Sequence, residues 1–201
     1  SLNDLHDPFL MRDMDKAVRR LNKALGNKEK ILIYGDYDVD GITSVVVLYR
    51  YLTSVGAKVD YYIPDRTEEG YGLNTAALRS IYESGTSLIV TVDTGTTAVE
   101  EIAEAEGELA RQLGMDIIVT DHHECKPTLP ECIAVVNPKR PDSVYPYKEL
   151  AGVGVVFKLV CALIGDSSKA FSFYGDLVAI GTIADIMPLV DENRILVSLG
   201  L

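Results

Sequence analysis

Five short segments rich in β-branched, aliphatic and aromatic residues set the plan of this chain: Lys30–Tyr34 (KILIY), Lys58–Ile63 (KVDYYI), Ser87–Val92 (SLIVTV), Met115–Thr120 (MDIIVT) and Ile133–Val136 (IAVV). Runs of this length are too short for helices and read as strands, the first of them buried on both faces. Segments of helical period separate them. Ile42–Ser54 carries Val45, Val46, Leu48, Tyr49 and Leu52 and stops at Gly56; Asn74–Ser84 opens on an N-capping asparagine; Thr97–Leu113 stops at Gly114. A helical segment running to about Gly26 (Met11, Met14, Val18, Leu21, Leu25) precedes the first strand, and helices over about Val153–Ile164 and about Ser172–Ala184 follow the fifth. Strands alternating with helices predict right-handed βαβ units. The expected fold is α/β, a mostly parallel sheet of about five strands with helices on both faces.

In such folds ligands sit beyond the carboxyl ends of the strands. The first strand runs into Asp36, Asp38 and Asp40, the third into Asp93, and the fourth into Asp121, His122 and His123. The D-x-D-x-D-G loop begins like a calcium-binding EF-hand, but its twelfth residue is Val47 where a glutamate is needed, and a strand precedes it where a helix is needed. Taken alone, the loop is an acidic, solvated turn. Three strands delivering carboxylates or imidazoles to one sheet edge make a site. Carboxylate and imidazole without thiolate suit Mn²⁺ or Mg²⁺, with Mn²⁺ favoured by imidazole. The candidates exceed one ion's needs, which predicts two ions about 3.5–4 Å apart and hydrolysis at phosphorus as the first functional class.

Composition narrows the setting. The 201 residues are 47% hydrophobic, enough for one sizeable core, and no apolar run is long enough to cross a bilayer. Three cysteines without C-x-x-C spacing argue for a reducing compartment, hence a cytoplasmic protein, and against structural zinc. The net charge of −11 is unusual for a nucleic-acid binder, which normally presents a basic face to phosphate. Bound cations would offset part of it.

The ordered stretches GDYDVDGIT, VTVDTG, VTDHHE, AGVGVVFKL and GTIADIMPL resemble the motifs of the DHH phosphoesterase family. PDRTEEGYGLN and DENRILVSLGL are similar to its single-strand-specific 5′→3′ DNA exonuclease branch, the RecJ type. The resemblance implies a catalytic domain over residues 29–201 behind an N-terminal helical segment, 1–28, and metal-dependent phosphodiester hydrolysis in single-stranded DNA. It implies that Asp38 holds one metal and Asp40 the other, with Asp93 bridging. His122 would join Asp40, and Asp185, otherwise an ordinary helix-end acid, would complete that shell. His123 would face the substrate phosphate or orient the ligands. Some relatives place a histidine where this chain has Tyr34, which leaves the first shell to Asp36 or water.

Three further residues are substrate-phosphate candidates. Gly152 and Gly154 open a helix whose amides could bind a phosphate oxygen, although close helix packing explains them equally well. Arg140, beside Lys139, follows the fifth strand at the same edge. Cys125 is expected to be a bystander. The resemblance further implies C-terminal domains that close over this one and carry the DNA grip. Two alternatives stand beside the exonuclease: a phosphodiesterase for very short RNAs or cyclic dinucleotides, and a non-catalytic DHH scaffold that binds protein or nucleic acid. Intact acids and histidines disfavour the scaffold.

Overall fold

The computed structural model describes residues 1–67, 72–105 and 115–201. Five strands form one parallel sheet: β1 (Lys30–Tyr34), β2 (Lys58–Tyr62), β3 (Leu88–Thr91), β4 (Asp116–Thr120) and β5 (Ala134–Val136). Their spatial order is β2-β1-β3-β4-β5. Alternating strand side chains feed two cores. Ile31, Ile33, Leu88, Val90, Ile118, Ala134 and Val136 pack with α1 (Met14–Gly26), α2 (Val39–Ser54), α5 (Gly152–Ile164) and α6 (Ser167–Ala184). Leu32, Tyr34, Ile89, Ile117, Val119 and Val135 face the opposite layer, which holds α3 (Thr75–Glu83) and α4 (Val99–Glu104). A last helix, α7 (Asp191–Gly200), packs on α6. No helix among the described residues is long and apolar enough to cross a membrane.

Several boundaries differ from the sequence reading, two of them set by a capping carboxylate. Helix α2 starts at Val39, because the Asp38 carboxylate accepts from Gly41 N–H at 2.7 Å and so caps it. Asp40 therefore lies in the first helical turn and not in the loop. Helix α6 starts at Ser167, five residues early, capped by Asp166 on Lys169 N–H. Helix α7 has no counterpart in the sequence reading. The N-terminal helix begins at Met14, preceded by two short 3₁₀ turns. The rest of the predicted helix 97–113, beyond α4 and Ala105, lies outside the described residues.

Helix α1 is part of the main core, contributing Met14, Ala17, Leu21 and Ala24. Its buried Arg20 pairs with Glu29 (2.7 Å) and with Asp116 at the start of β4 (2.6 Å), tying it to the sheet.

Candidate metal centre

Strand register brings the acids level. β1 and β3 pair Tyr34 with Thr91, and β3 and β4 pair Thr91 with Val119. Two residues beyond these partners stand Asp36, Asp93 and Asp121 on three adjacent strands. The chain order reverses between β1 and β3, since β2 lies on one side of β1 and β3 on the other. That reversal opens the crevice in which α/β folds hold ligands. Asp93, on the strand between, occupies the middle. Its backbone takes a left-handed turn, φ 57°, a conformation that Asp tolerates better than most side chains.

Three groups of ligand atoms assemble here, each within 4.8 Å: Asp36, Asp38 and Asp93; Asp40, His122 and Asp185; and Asp93, His122 and His123. The His122 Nε2 atom faces three carboxylates at once, Asp93 at 3.0 Å, Asp40 at 3.4 Å and Asp185 at 3.5 Å. It forms no well-shaped hydrogen bond to any of them. A buried ring nitrogen aimed at three acids without a hydrogen bond suits a cation between them, so the donor set fits hard divalent ions. Every sequence-predicted ligand is thus in one cluster.

The electrostatics point the same way. Burial pushes Asp93 up to about 12, with Asp40 and Asp38 adding repulsion. Burial also raises Asp40 to about 7, although the Val153 and Gly152 amides pull it down; Asp185 and Asp38 push it further up. Asp36 is raised by burial, and Asp185 by burial and then Asp38. Burial and the neighbouring His123 lower His122 to about 4, which leaves it neutral with a lone pair to give. These carboxylates are held together against their own repulsion, a cost that cations would relieve.

His123 is held differently. Its Nδ1 lies 2.6 Å from Asp121 Oδ1, and its ring is 4.5 Å from that of His122. Burial would lower its pKa, but the Asp121 bond and charge raise it. Asp121 also accepts from the Thr96, His122 and His123 amides at 3.0, 2.8 and 3.3 Å. Burial acts most strongly and would raise Asp121, but the bond and charge of His123, the Thr96 amide and the charge of His122 together outweigh it, so its pKa falls. Sequence reasoning assigned neither this part nor that of Asn137. Asn137 donates to Thr96 Oγ1 and to the His123 carbonyl at 3.0 and 2.9 Å, bracing two of the loops. For Asp121 the signal is its place at a strand end; an asparagine before Pro138 reads as an ordinary turn.

The structure gives the three phosphate candidates other contacts. Gly152 N–H donates to Asp40 Oδ2 at 2.8 Å, and a Cβ on Gly152 would lie 2.4 Å from Asp93 Oδ1. Gly154 backs onto Leu150, where a Cβ would meet the side chain at 3.3 Å. The Gly152 amide is thus engaged by Asp40, and both glycines sit where a side chain would crowd a neighbour. Arg140 is engaged by Asp142 (2.9 and 3.0 Å), Asp13 (2.7 Å) and the Val135 carbonyl (2.8 Å), so it braces the β5 end and offers no open fork. Lys139 is the cation whose charge reaches His122 and Asp185. Tyr34 is drawn away from the centre, its hydroxyl accepting from Asn74 N–H at 3.1 Å.

The model of the DHH family, N-terminal domain, matches residues 30–182. This chain belongs to the DHH family. A single-stranded-DNA-specific exonuclease RecJ of Bacillus subtilis is 54% identical over 98% of the chain. A crystal structure of exonuclease RecJ bound to manganese shares 37% identity with TM-score 0.83, covering 94% of this chain and 47% of that one. A RecJ from Thermus thermophilus in complex with Mn²⁺ aligns with TM-score 0.78 at 34% identity, covering 94% of this chain and 26% of that one. The DHH domain described here spans about a quarter of the Bacillus relative's length.

Proposed function

We propose that this DHH domain is the catalytic module of a divalent-metal-dependent exonuclease that hydrolyses phosphodiester bonds in single-stranded DNA from the 5′ end. The observation that carries this reading is the convergence on Asp93 of two ligand groups, Asp36 with Asp38 and Asp40 with His122 and Asp185. Close relatives named as exonucleases, and their manganese-bound structures, support it. In this reading Asp36, Asp38 and Asp93 would hold one Mn²⁺ or Mg²⁺, and Asp40, His122 and Asp185, with Asp93, would hold the other. Two such ions, when bound, supply Lewis-acid stabilisation for in-line displacement at phosphorus.

The chain's own residues do the remaining work. His122, neutral, gives a lone pair to the centre. His123, kept in its protonatable form by Asp121, lies with its side chain 40% exposed and presents a donor to a non-bridging phosphate oxygen. Asp121 and Asn137 fix the loop that carries both histidines. The catalytic unit comprises 29–201 with the segment 1–28 packed on it, and C-terminal domains of the full protein supply the DNA grip. Its site of action is the cytoplasm, in keeping with three free cysteines.

The test uses the full-length protein with Mn²⁺ on 5′-labelled single-stranded, duplex and cyclic dinucleotide substrates. Release of 5′ mononucleotides from the single strand alone is expected. Faster turnover of the cyclic dinucleotide, or equal digestion of duplex, would overturn the reading. With a net charge of −11, the 201-residue chain should bind an oligonucleotide weakly and only with Mn²⁺. Tight, metal-independent binding with a steep salt slope would place the grip within this chain.

A further inference from the structure

Helix α5 has no cap of its own. Its N-cap residue is Ala151, whose side chain can accept nothing, yet the first amides are buried. The cap comes from another element: Asp40, in the first turn of α2, accepts from Gly152 N–H through Oδ2 and from Val153 N–H through Oδ1, both at 2.8 Å. Each oxygen gives one lone pair to an amide and keeps another. Two amides on two oxygens fix the direction in which the Asp40 carboxyl points.

Gly152 has a second contact, independent of the first. A Cβ built on it would stand 2.4 Å from Asp93 Oδ1 and 2.7 Å from Asp93 Cβ and Cγ. Real Cβ atoms do not approach so closely, so a methyl group here requires the buried Asp93 side chain, 1% exposed, to shift. Gly152 thus touches both acids, one through its amide and one through its missing side chain. Those two acids stand in different ligand groups: Asp40 lies with His122 and Asp185, while Asp93 lies with Asp36 and Asp38 and meets the first group at His122, 3.0 Å away.

We propose that Gly152 is a positioning residue for the metal centre, setting the separation of Asp40 and Asp93 so that a pair of ions can share Asp93. The proposal rests on the two-ion reading above. A methyl group at 152 forces Asp93 away from the β1–β3 crevice while the Asp40 clamp holds, which leaves a one-ion site.

The test is Mn²⁺ titration of the metal-free 201-residue chain, followed by electron paramagnetic resonance, for wild type and Gly152→Ala. Wild type should bind two ions with a spin-coupled signal. The variant should bind one with an uncoupled signal, its second affinity falling at least tenfold, while its far-ultraviolet circular dichroism and urea melt without metal show a folded chain. A coupled pair at wild-type affinity in Gly152→Ala overturns the proposal and leaves the two-ion reading standing. A wild-type chain that binds no coupled pair overturns both. Should Gly152→Ala fail to fold, Gly152→Ala/Asp93→Gly decides, since glycine suits the left-handed φ at 93 and vacates the contested space. Recovery of folding locates the clash at Asp93 as proposed; failure to recover refutes it.

Discussion

The substitution Asp93→Asn isolates the cost of the centre in metal-free protein. A carboxyl whose native pKa lies above its unfolded value of 3.8 carries a proton when folded and loses it on unfolding. Folding therefore takes up a proton, and stability falls as pH rises anywhere between the two values. For Asp93, pushed to about 12, this interval includes the whole neutral range. One proton corresponds to about 1.4 kcal/mol per pH unit, so Asp93 alone should remove about 3 kcal/mol between about pH 6.5 and 8.5. Against a typical domain stability of about 5–15 kcal/mol that is a large share.

The window is chosen because other groups are quiet or common to both proteins within it. His122, lowered to about 4, gains its stabilising effect between about 4 and its unfolded 6.5 and adds nothing above. His123 and Asp40 titrate alike in wild type and variant, because asparagine mimics the protonated acid already present. Asparagine also tolerates the left-handed φ of 57°. Urea melts in chelator at pH 6.5, 7.5 and 8.5 should show wild type losing stability with a slope the variant lacks, the gap widening by about 3 kcal/mol. Saturating Mn²⁺ should abolish the wild-type slope, because ligation requires the deprotonated carboxylate. Parallel pH profiles for the two proteins would refute the account of Asp93 as an acid whose proton is held by burial and by its acidic neighbours.

Other outcomes are accessible with standard assays. Asp185→Ala in the full-length protein should abolish hydrolysis with circular dichroism unchanged; full activity would remove Asp185 from the centre. The buried pair Lys158–Glu192, with Tyr145 and the His6 backbone bonded to it, joins α5, α7 and the N-terminal segment. Glu192→Gln should cost about 3–5 kcal/mol by urea melt, and Lys158→Met/Glu192→Leu far less, since the loss comes from stranding one charge. Equal costs would contradict this. Ile186 holds a left-handed φ of 53° with 89% of its surface exposed, so Ile186→Gly should stabilise the chain by about 1 kcal/mol; a lower melting temperature would show an unseen packing role.

The elements legible in the sequence are those whose signal is local. The reading of β1 matches residue for residue because the four-residue apolar run 31–34, flanked by Lys30 and Gly35, is too short for a helix. Asn74 reads as a cap and is one, accepting from Ala77 N–H at 3.0 Å. Starts fixed by an acid before a polar turn escape the reading, as at Asp38 and Asp166, because a capping carboxylate and a solvated one look alike in a string. The strand order is equally hidden, since it depends on which edge of β1 accepts β3. So is the fate of Arg140, whose partners Asp13 and Asp142 lie far and near in sequence. Asp185 needs the family resemblance, because its partner His122 is brought to it only by the packing of α6.

Asp93 and Asp121 show why residue type and place are not enough to name a metal ligand. Both end a strand of the same sheet, both are almost wholly buried, and the register of β3 and β4 sets them level. Their pKa values nevertheless move in opposite directions. Asp121 receives three backbone amides and the ring of His123, so the protein itself supplies the compensation that a buried carboxylate requires. Asp93 looks onto Asp38, Asp40 and a His122 kept neutral. A carboxylate already neutralised by the fold gains little from a cation, whereas one stored among other acids gains a great deal. A cation would therefore serve Asp93 more than Asp121, whose carboxylate is already used in holding His123.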